Sequence, residues 1–248
     1  MCAEIKIIYQ DEYCIAIEKP AGMASAPLNE DENKTALYFV SKFCPEVMNV
    51  IGKKSVEGGL LHRLDTGTQG LLLFAKNQQF YNSILDSQKK GLFKKEYKAM
   101  CQILPNCGEI LQGFPLPPAG SRDLLNSLSC ELLVQSWFRK YQSGGKVVRP
   151  VAFEQKGFAK KKCNTSSIYS TFIVINEINN DVANVSCTIS RGFRHQVRCH
   201  LAWCGLPVMG DFQYNPLHNQ KNEKQMSFMA TKITFPHPFF SKEITIQI

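Results

Sequence analysis

The chain has no long apolar run. Its longest stretches, such as Gly70-Leu71-Leu72-Leu73-Phe74-Ala75, fall far short of the ~20 apolar residues that a bilayer-spanning helix needs, so no membrane span is expected. The amino end, Met1-Cys2-Ala3-Glu4-Ile5-Lys6, lacks the basic start, apolar stretch and small-residue cleavage site of a secretory signal, which points to the cytoplasm. Ten cysteines include no CxxC pair, and the closest spacings (Cys199 to Cys204, Cys101 to Cys107) have no matching second pair. Neither a zinc site nor a disulfide scaffold is therefore expected; the cysteines read as buried free thiols in a reducing compartment. Internal repeats and low-complexity tracts are absent too, which excludes solenoids and fibrous arrays.

What is present suits a folded, basic protein. At 248 residues, 44% apolar and 20% charged, the chain can bury the core of one large domain or two small ones. Lysine and arginine total 29 against 21 acidic residues, a net charge of +8, and the excess is concentrated. Residues 89–98 carry five Lys and one Glu, residues 140–162 seven Lys and Arg and one Glu, and residues 191–200 three Arg. If these segments share a face, that face attracts a polyanion such as nucleic acid; solvated lysines are the plainer explanation of charge runs.

Periodicity suggests strands at Ile5 to Tyr9 and Tyr13 to Glu18, then a break at Pro20-Ala21-Gly22. A helix follows over Thr35 to Phe43. Gly52 to Gly70 holds five glycines and reads as a loop. A buried strand spans Leu71 to Ala75, and Asn77 can cap a helix ending near Gly91. Lys94 to Gln102 alternates as a strand, with Tyr97, Ala99 and Cys101 on one face. Residues 112–163 are rich in Pro, Gly, Ser and Lys and read as irregular surface excursions. Ile168 to Ile175 and Val182 to Ser190 suggest a hairpin, Phe193 to Cys204 a helix, and Met226 to Phe235 with Glu243 to Ile248 further strands. This mix favours an α+β chain on a largely antiparallel sheet.

Two segments are dense in chemistry. In His62-Arg63-Leu64-Asp65-Thr66-Gly67-Thr68-Gln69-Gly70, a carboxylate sits between an arginine and a Gly/Thr turn, just before an apolar strand. An Asp near arginines stays ionised, as a nucleophile requires, although an Asp in a Gly-rich loop more often only caps the turn. In Arg191-Gly192-Phe193-Arg194-His195-Gln196-Val197-Arg198-Cys199-His200, a helix would align Arg191, Arg194 and Arg198 as one basic stripe for phosphates or a carboxylate. His195 and His200 are five apart and do not share a face as zinc ligands would.

Together with Glu18-Lys19-Pro20-Ala21-Gly22-Met23, Lys95-Glu96-Tyr97-Lys98-Ala99 and Gly205-Leu206-Pro207-Val208-Met209-Gly210-Asp211, these segments resemble the RluA-type pseudouridine synthases. The matching motifs are K-P-x-G-[ML], HRLDxxTSGLLL, KxYxA and HQ[IV]RxHLxxxGxP[IV]xGD, in that order. The resemblance covers residues 5 to 111 and about 165 to 248. Gln69 stands where the family usually has Ser, and Phe193 where many members have Arg. The resemblance implies a mixed, mostly antiparallel sheet in two lobes flanking a catalytic cleft. It implies no cofactor, no metal and no membrane partner; the partner is a structured ribosomal or transfer RNA, bound by a monomer.

By the same resemblance Asp65 is the nucleophile, Tyr97 packs on the target base and assists proton removal, and Arg198 holds the aspartate ionised and oriented. Arg63, His62, Arg191, Arg194, His195 and Lys95 are the expected RNA contacts. The expected organisation is a single catalytic domain, 1–248, with a basic insertion near 112–163 and no amino-terminal S4 domain. Two alternatives compete: a catalytically inactive RNA-binding or chaperone paralogue, which would gain nothing from a carboxylate facing phosphates, and a glycosidase-like hydrolase, which would need a second acid.

Overall fold

The structure, a computed structural model, describes residues 5–29, 32–104, 111, 113–126, 131–154, 163–218 and 225–248. It comprises two compact units, Met1–Glu96 with Met229–Ile248 and Tyr97–Phe228.

In the first unit, β1 (Lys6–Gln10), β2 (Cys14–Lys19), β3 (Gln69–Ala75), β9 (Phe228–His237) and β10 (Lys242–Gln247) lie side by side in that order. The β1–β2, β2–β3 and β9–β10 pairs are antiparallel, and β3 runs parallel to β9 through Gln69↔Met229 and Gly70↔Ala230. Only glycine fits that crossing: Gly70 has φ +117°, and a Cβ there would run into the Ala230 carbonyl. Asp11 makes the β1–β2 turn, its Oδ1 accepting from the Tyr13 and Cys14 amides (2.8 and 2.7 Å). Helices α1 (Ala36–Phe43) and α2 (Gln78–Lys89) start on side-chain caps, the Thr35 hydroxyl accepting from Tyr38 N and Asn77 Oδ1 from Phe80 N. Alternate residues of β3 (Leu71, Leu73, Ala75) pack with Phe80 and Ile84 of α2 and with Phe93, Ile233 and Phe235, which anchors the strand that follows the Asp65 loop.

In the second unit the order is β4 (Lys94–Gln102), β8 (Val182–Ile189), β7 (Asn164–Asn179), β5 (Glu131–Tyr141), β6 (Val147–Val151). The β5–β6, β5–β7 and β7–β8 pairs are antiparallel. Helix α3 (Ser121–Asn126) is short, and α4 (Gln196–Trp203) is buried along its whole length. Its His200 is a core histidine. The ring nitrogens bond Ser136 Oγ of β5 (2.9 Å) and Thr171 Oγ1 of β7 (2.8 Å), and the ring stacks on Phe138. Burial pulls its pKa down to about 3, so it is neutral.

The α+β class and the mixed, mostly antiparallel pairing agree with expectation. So does β4, whose bounds and buried Tyr97, Ala99 and Cys101 face match the alternation. Cys14, Cys44, Cys101, Cys187 and Cys199 are buried free thiols, and burial raises the pKa of each. No helix among the described residues is long and apolar enough to cross a membrane.

Two expectations fail. Among the described residues of 112–163, most lie in β5, β6 and α3 rather than in irregular structure. The glycine, serine and lysine content hid the alternation of Val134, Ser136 and Phe138 on one buried face. The Lys160 to Lys162 run of this segment lies outside the described residues. The helix expected from Phe193 begins only at Gln196, because His195 adopts a left-handed conformation (φ 56°) as its N-cap. Arg191 and Arg194 therefore precede the helix and form no stripe with Arg198, which is buried.

Candidate active site

Asp65 stands in a turn whose neighbours are fastened on both sides. Leu64, just before it, exchanges two bonds with Ser25: its amide donates to Ser25 Oγ (3.0 Å), and that hydroxyl donates to the Leu64 carbonyl (2.9 Å). The carbonyl of Thr66, just after it, accepts from the Gly22 amide (2.8 Å) and from Lys19 Nζ (3.4 Å). Within the turn, Thr68 N donates to the Asp65 carbonyl (3.0 Å). The Lys-Pro-Ala-Gly-Met segment thus acts as a clasp on the Asp65 loop. Gly22 makes its corner with φ +84°.

Lys19 was singled out in the sequence only as part of a motif. It is 0% exposed, an uncommon position for a lysine, and its ammonium also donates to the Pro20 and Met23 carbonyls (both 2.8 Å). Burial lowers its pKa to about 8, and the charge of Asp65 opposes the fall. A carboxylate near a buried ammonium, on a loop fixed by main-chain bonds, is a geometry suited to a nucleophile.

The other two expected catalytic residues belong to the second unit. Tyr97 is buried on β4 with its ring stacked on Phe228 (centroids 5.1 Å apart, 10° between planes). Arg198, from the first turn of α4, forms a forked pair with Asp211: Nε donates to Oδ2 (2.8 Å) and Nη2 to Oδ1 (2.7 Å). Nη2 also donates to Gln213 Oε1 (2.9 Å), and the guanidinium lies over the Tyr214 ring. Asp211 Oδ1 further accepts from the Gln213 and Tyr214 amides (3.0 and 3.3 Å). With side chains 5% and 0% exposed, the pair is desolvated, and its strength depends on this full set of donors. The role of Asp211 was missed. Its signal was the lone acid after Gly210, placed in a motif shared with the arginine.

The expected RNA contacts divide by exposure. Arg63, Arg191 and Arg194 are at the surface, Arg63 with Nη1 3.4 Å from Glu57 Oε1. Three others are turned inward. His62 Nε2 accepts from Leu73 N (3.3 Å), and burial, with Lys95 and Lys53 nearby, holds its pKa well below the usual value. His195 bonds the Tyr214 hydroxyl through Nδ1 (2.9 Å), and that hydroxyl accepts from Val148 N (3.0 Å). Lys95 is buried, which lowers its pKa to about 8, with Lys53 adding to the fall. Phe193 is half-buried and stacks on the buried Phe138 (5.0 Å, 7°). No cluster of three or more potential metal ligands occurs among the described residues.

A family model described as RNA pseudouridylate synthase matches residues 13–203. The chain belongs to this family, in the RluA-type branch whose motifs it carries. Among curated relatives it is 26% identical over 240 residues to "Uncharacterized RNA pseudouridine synthase MG209 homolog" of Mycoplasma pneumoniae, covering 97% of this chain and 65% of that protein. It is 26% identical over 243 residues to ribosomal large subunit pseudouridine synthase C of Rickettsia felis, covering 97% and 66%. Identity to tRNA pseudouridine synthase C of Pasteurella multocida is 25% over 248 residues, covering 98% and 90%. The chain thus spans just under two thirds of the first two relatives and nearly all of the third. The solved structure of human RNA pseudouridylate synthase domain containing 1 superposes with a TM-score of 0.66 at 17% identity, covering 99% of this chain and 83% of that one, a likeness of fold.

Proposed function

We propose that the chain is an RNA pseudouridine synthase that isomerises uridine in structured ribosomal or transfer RNA, acting in the cytoplasm as a monomer without metal or cofactor. The target nucleotide leaves its stack, at a cost of a few kcal/mol that basic and aromatic side chains offset. Asp65 serves as the nucleophile, by adduct formation with ribose or base or by assisting elimination. The N1–C1′ bond breaks, the uracil turns, and C5 bonds to C1′; C5 gives up its hydrogen as a proton and N1 gains one. Tyr97 supports the base and assists removal of the C5 proton. Arg198 orients the aspartate, and Arg63, Arg191 and Arg194 contact the RNA backbone, with His62, His195 and Lys95 as inner members of that basic set.

The observation that carries this reading is the clasp. Two motifs far apart in sequence, at Lys19 to Ser25 and Leu64 to Thr66, are joined by four hydrogen bonds around one carboxylate. A binding protein has no use for a carboxylate held in this way. Total RNA from a strain lacking the protein, labelled with tritium at uracil C5, tests it: incubation should release tritium to water. RNA that binds and keeps all its label would overturn the proposal.

A further inference from the structure

The β5–β6 hairpin belongs to the basic middle segment that no motif accounts for. From residue 132 to residue 153 the sequence has four cations, Arg139, Lys140, Lys146 and Arg149, and no acidic residue. The hairpin has two unlike faces. Phe138 and Val148 point to the inner one and are buried, and Val148 is tied down through both of its polar main-chain atoms: N donates to Tyr214 Oη (3.0 Å), and O accepts from Cys199 Sγ (3.5 Å). The outer face carries the half-buried Trp137, Arg139 and Tyr141 on β5, with the half-buried Arg149 directly across from Arg139 and the buried Val151 across from Trp137.

That outer face interleaves rings with guanidinium groups. Arg139 and Arg149 lie over the Tyr141 ring, at 4.5 and 4.6 Å from its centroid, and Trp137 meets Phe153 edge-on at 5.1 Å. A polyanion with flat bases suits this face, phosphates meeting the cations and bases stacking on rings and guanidinium planes.

We infer that the outer face of the β5–β6 hairpin is a stacking platform for unpaired nucleotides of the RNA substrate, distinct from the residues assigned to the target uridine. The inference rests on RNA being the substrate. It gives the unassigned basic segment the task of reading single-stranded RNA around the modified position.

The chain has two tryptophans. Trp203 is 4% exposed, with Nε1 bound to the Pro115 and Leu116 carbonyls, so quenching of fluorescence by RNA reports on Trp137. The probes are a single-stranded oligouridylate and a fully paired RNA duplex, titrated into the wild-type chain and into Asp65→Asn. Oligouridylate should quench both proteins more than the duplex does, and Trp137→Phe should lose the quench. Tyr141→Ala should weaken oligouridylate binding on the order of tenfold. Arg149→Ala should reduce the salt slope of binding by about one. RNA that binds without quenching, an equal response to duplex, or a quench that survives in Trp137→Phe would overturn the platform while leaving the enzyme reading intact. Failure of any RNA to bind would overturn both.

Discussion

The Asp65 loop and the Arg198–Asp211 pair hold their key residues by opposite means. Asp65 is positioned through the main chain of its neighbours: Ser25, Gly22 and Lys19 bond the peptide groups of Leu64 and Thr66. Arg198 is positioned through its own guanidinium, which is engaged by Asp211 and Gln213. The first arrangement fixes the peptide groups on either side of a carboxylate. The second uses the charged group itself as a structural element. The comparison predicts that removing Lys19 from the clasp changes rate, whereas breaking the ion pair changes stability.

Removing one side of the buried pair gives the largest stability effect. Arg198→Ala leaves Asp211 charged and buried, and should lower unfolding free energy in urea by about 3–5 kcal/mol. A loss under 1 kcal/mol would mean the pair is held no more tightly than a surface one. Lys19→Met attacks the clasp instead. It takes away three donors around the loop and should cut kcat by roughly 100-fold with little change in KM, the cost of a small misplacement at a reacting centre. An unchanged kcat would show that the loop needs no such support. Ser25→Ala sharpens the same point: with the Leu64 amide and carbonyl left buried and unbonded, stability should fall by about 1–3 kcal/mol.

A further effect is one of pH. The folded pKa of His200 is about 3, below the ordinary 6.5, so the unfolded chain binds the proton more readily. Its contribution is intact above pH 6.5 and is lost as pH falls from 6.5 toward 3, with a limiting slope of about 1.4 kcal/mol per pH unit. Unfolding midpoints should therefore drop from pH 7 to pH 5, and His200→Gln should flatten that part of the curve. A variant with the wild-type slope would assign the titration to other groups.

Legibility followed physical signal. The β4 alternation and the Asn77 cap are local, and both could be read directly. Asp65 stood out because a carboxylate in a Gly/Thr loop before an apolar strand is a local pattern as well. Lys19 did not, because nothing near it in sequence marks a lysine as buried; its three acceptors come from the turn that it closes and from Thr66. Asp211 was obscured for a related reason, its partner being thirteen residues away on a helix. The left-handed His195 shortened α4, and a histidine signals positive φ far more weakly than glycine does.

The central claim is that Asp65 carries the chemistry. Release of C5 tritium from uridine-labelled RNA, measured for the wild-type chain and Asp65→Asn beside RNA affinity for both, tests it most directly. The account predicts release by the wild-type chain, none above background for Asp65→Asn, and equal affinity. Release by Asp65→Asn at the wild-type rate would contradict it.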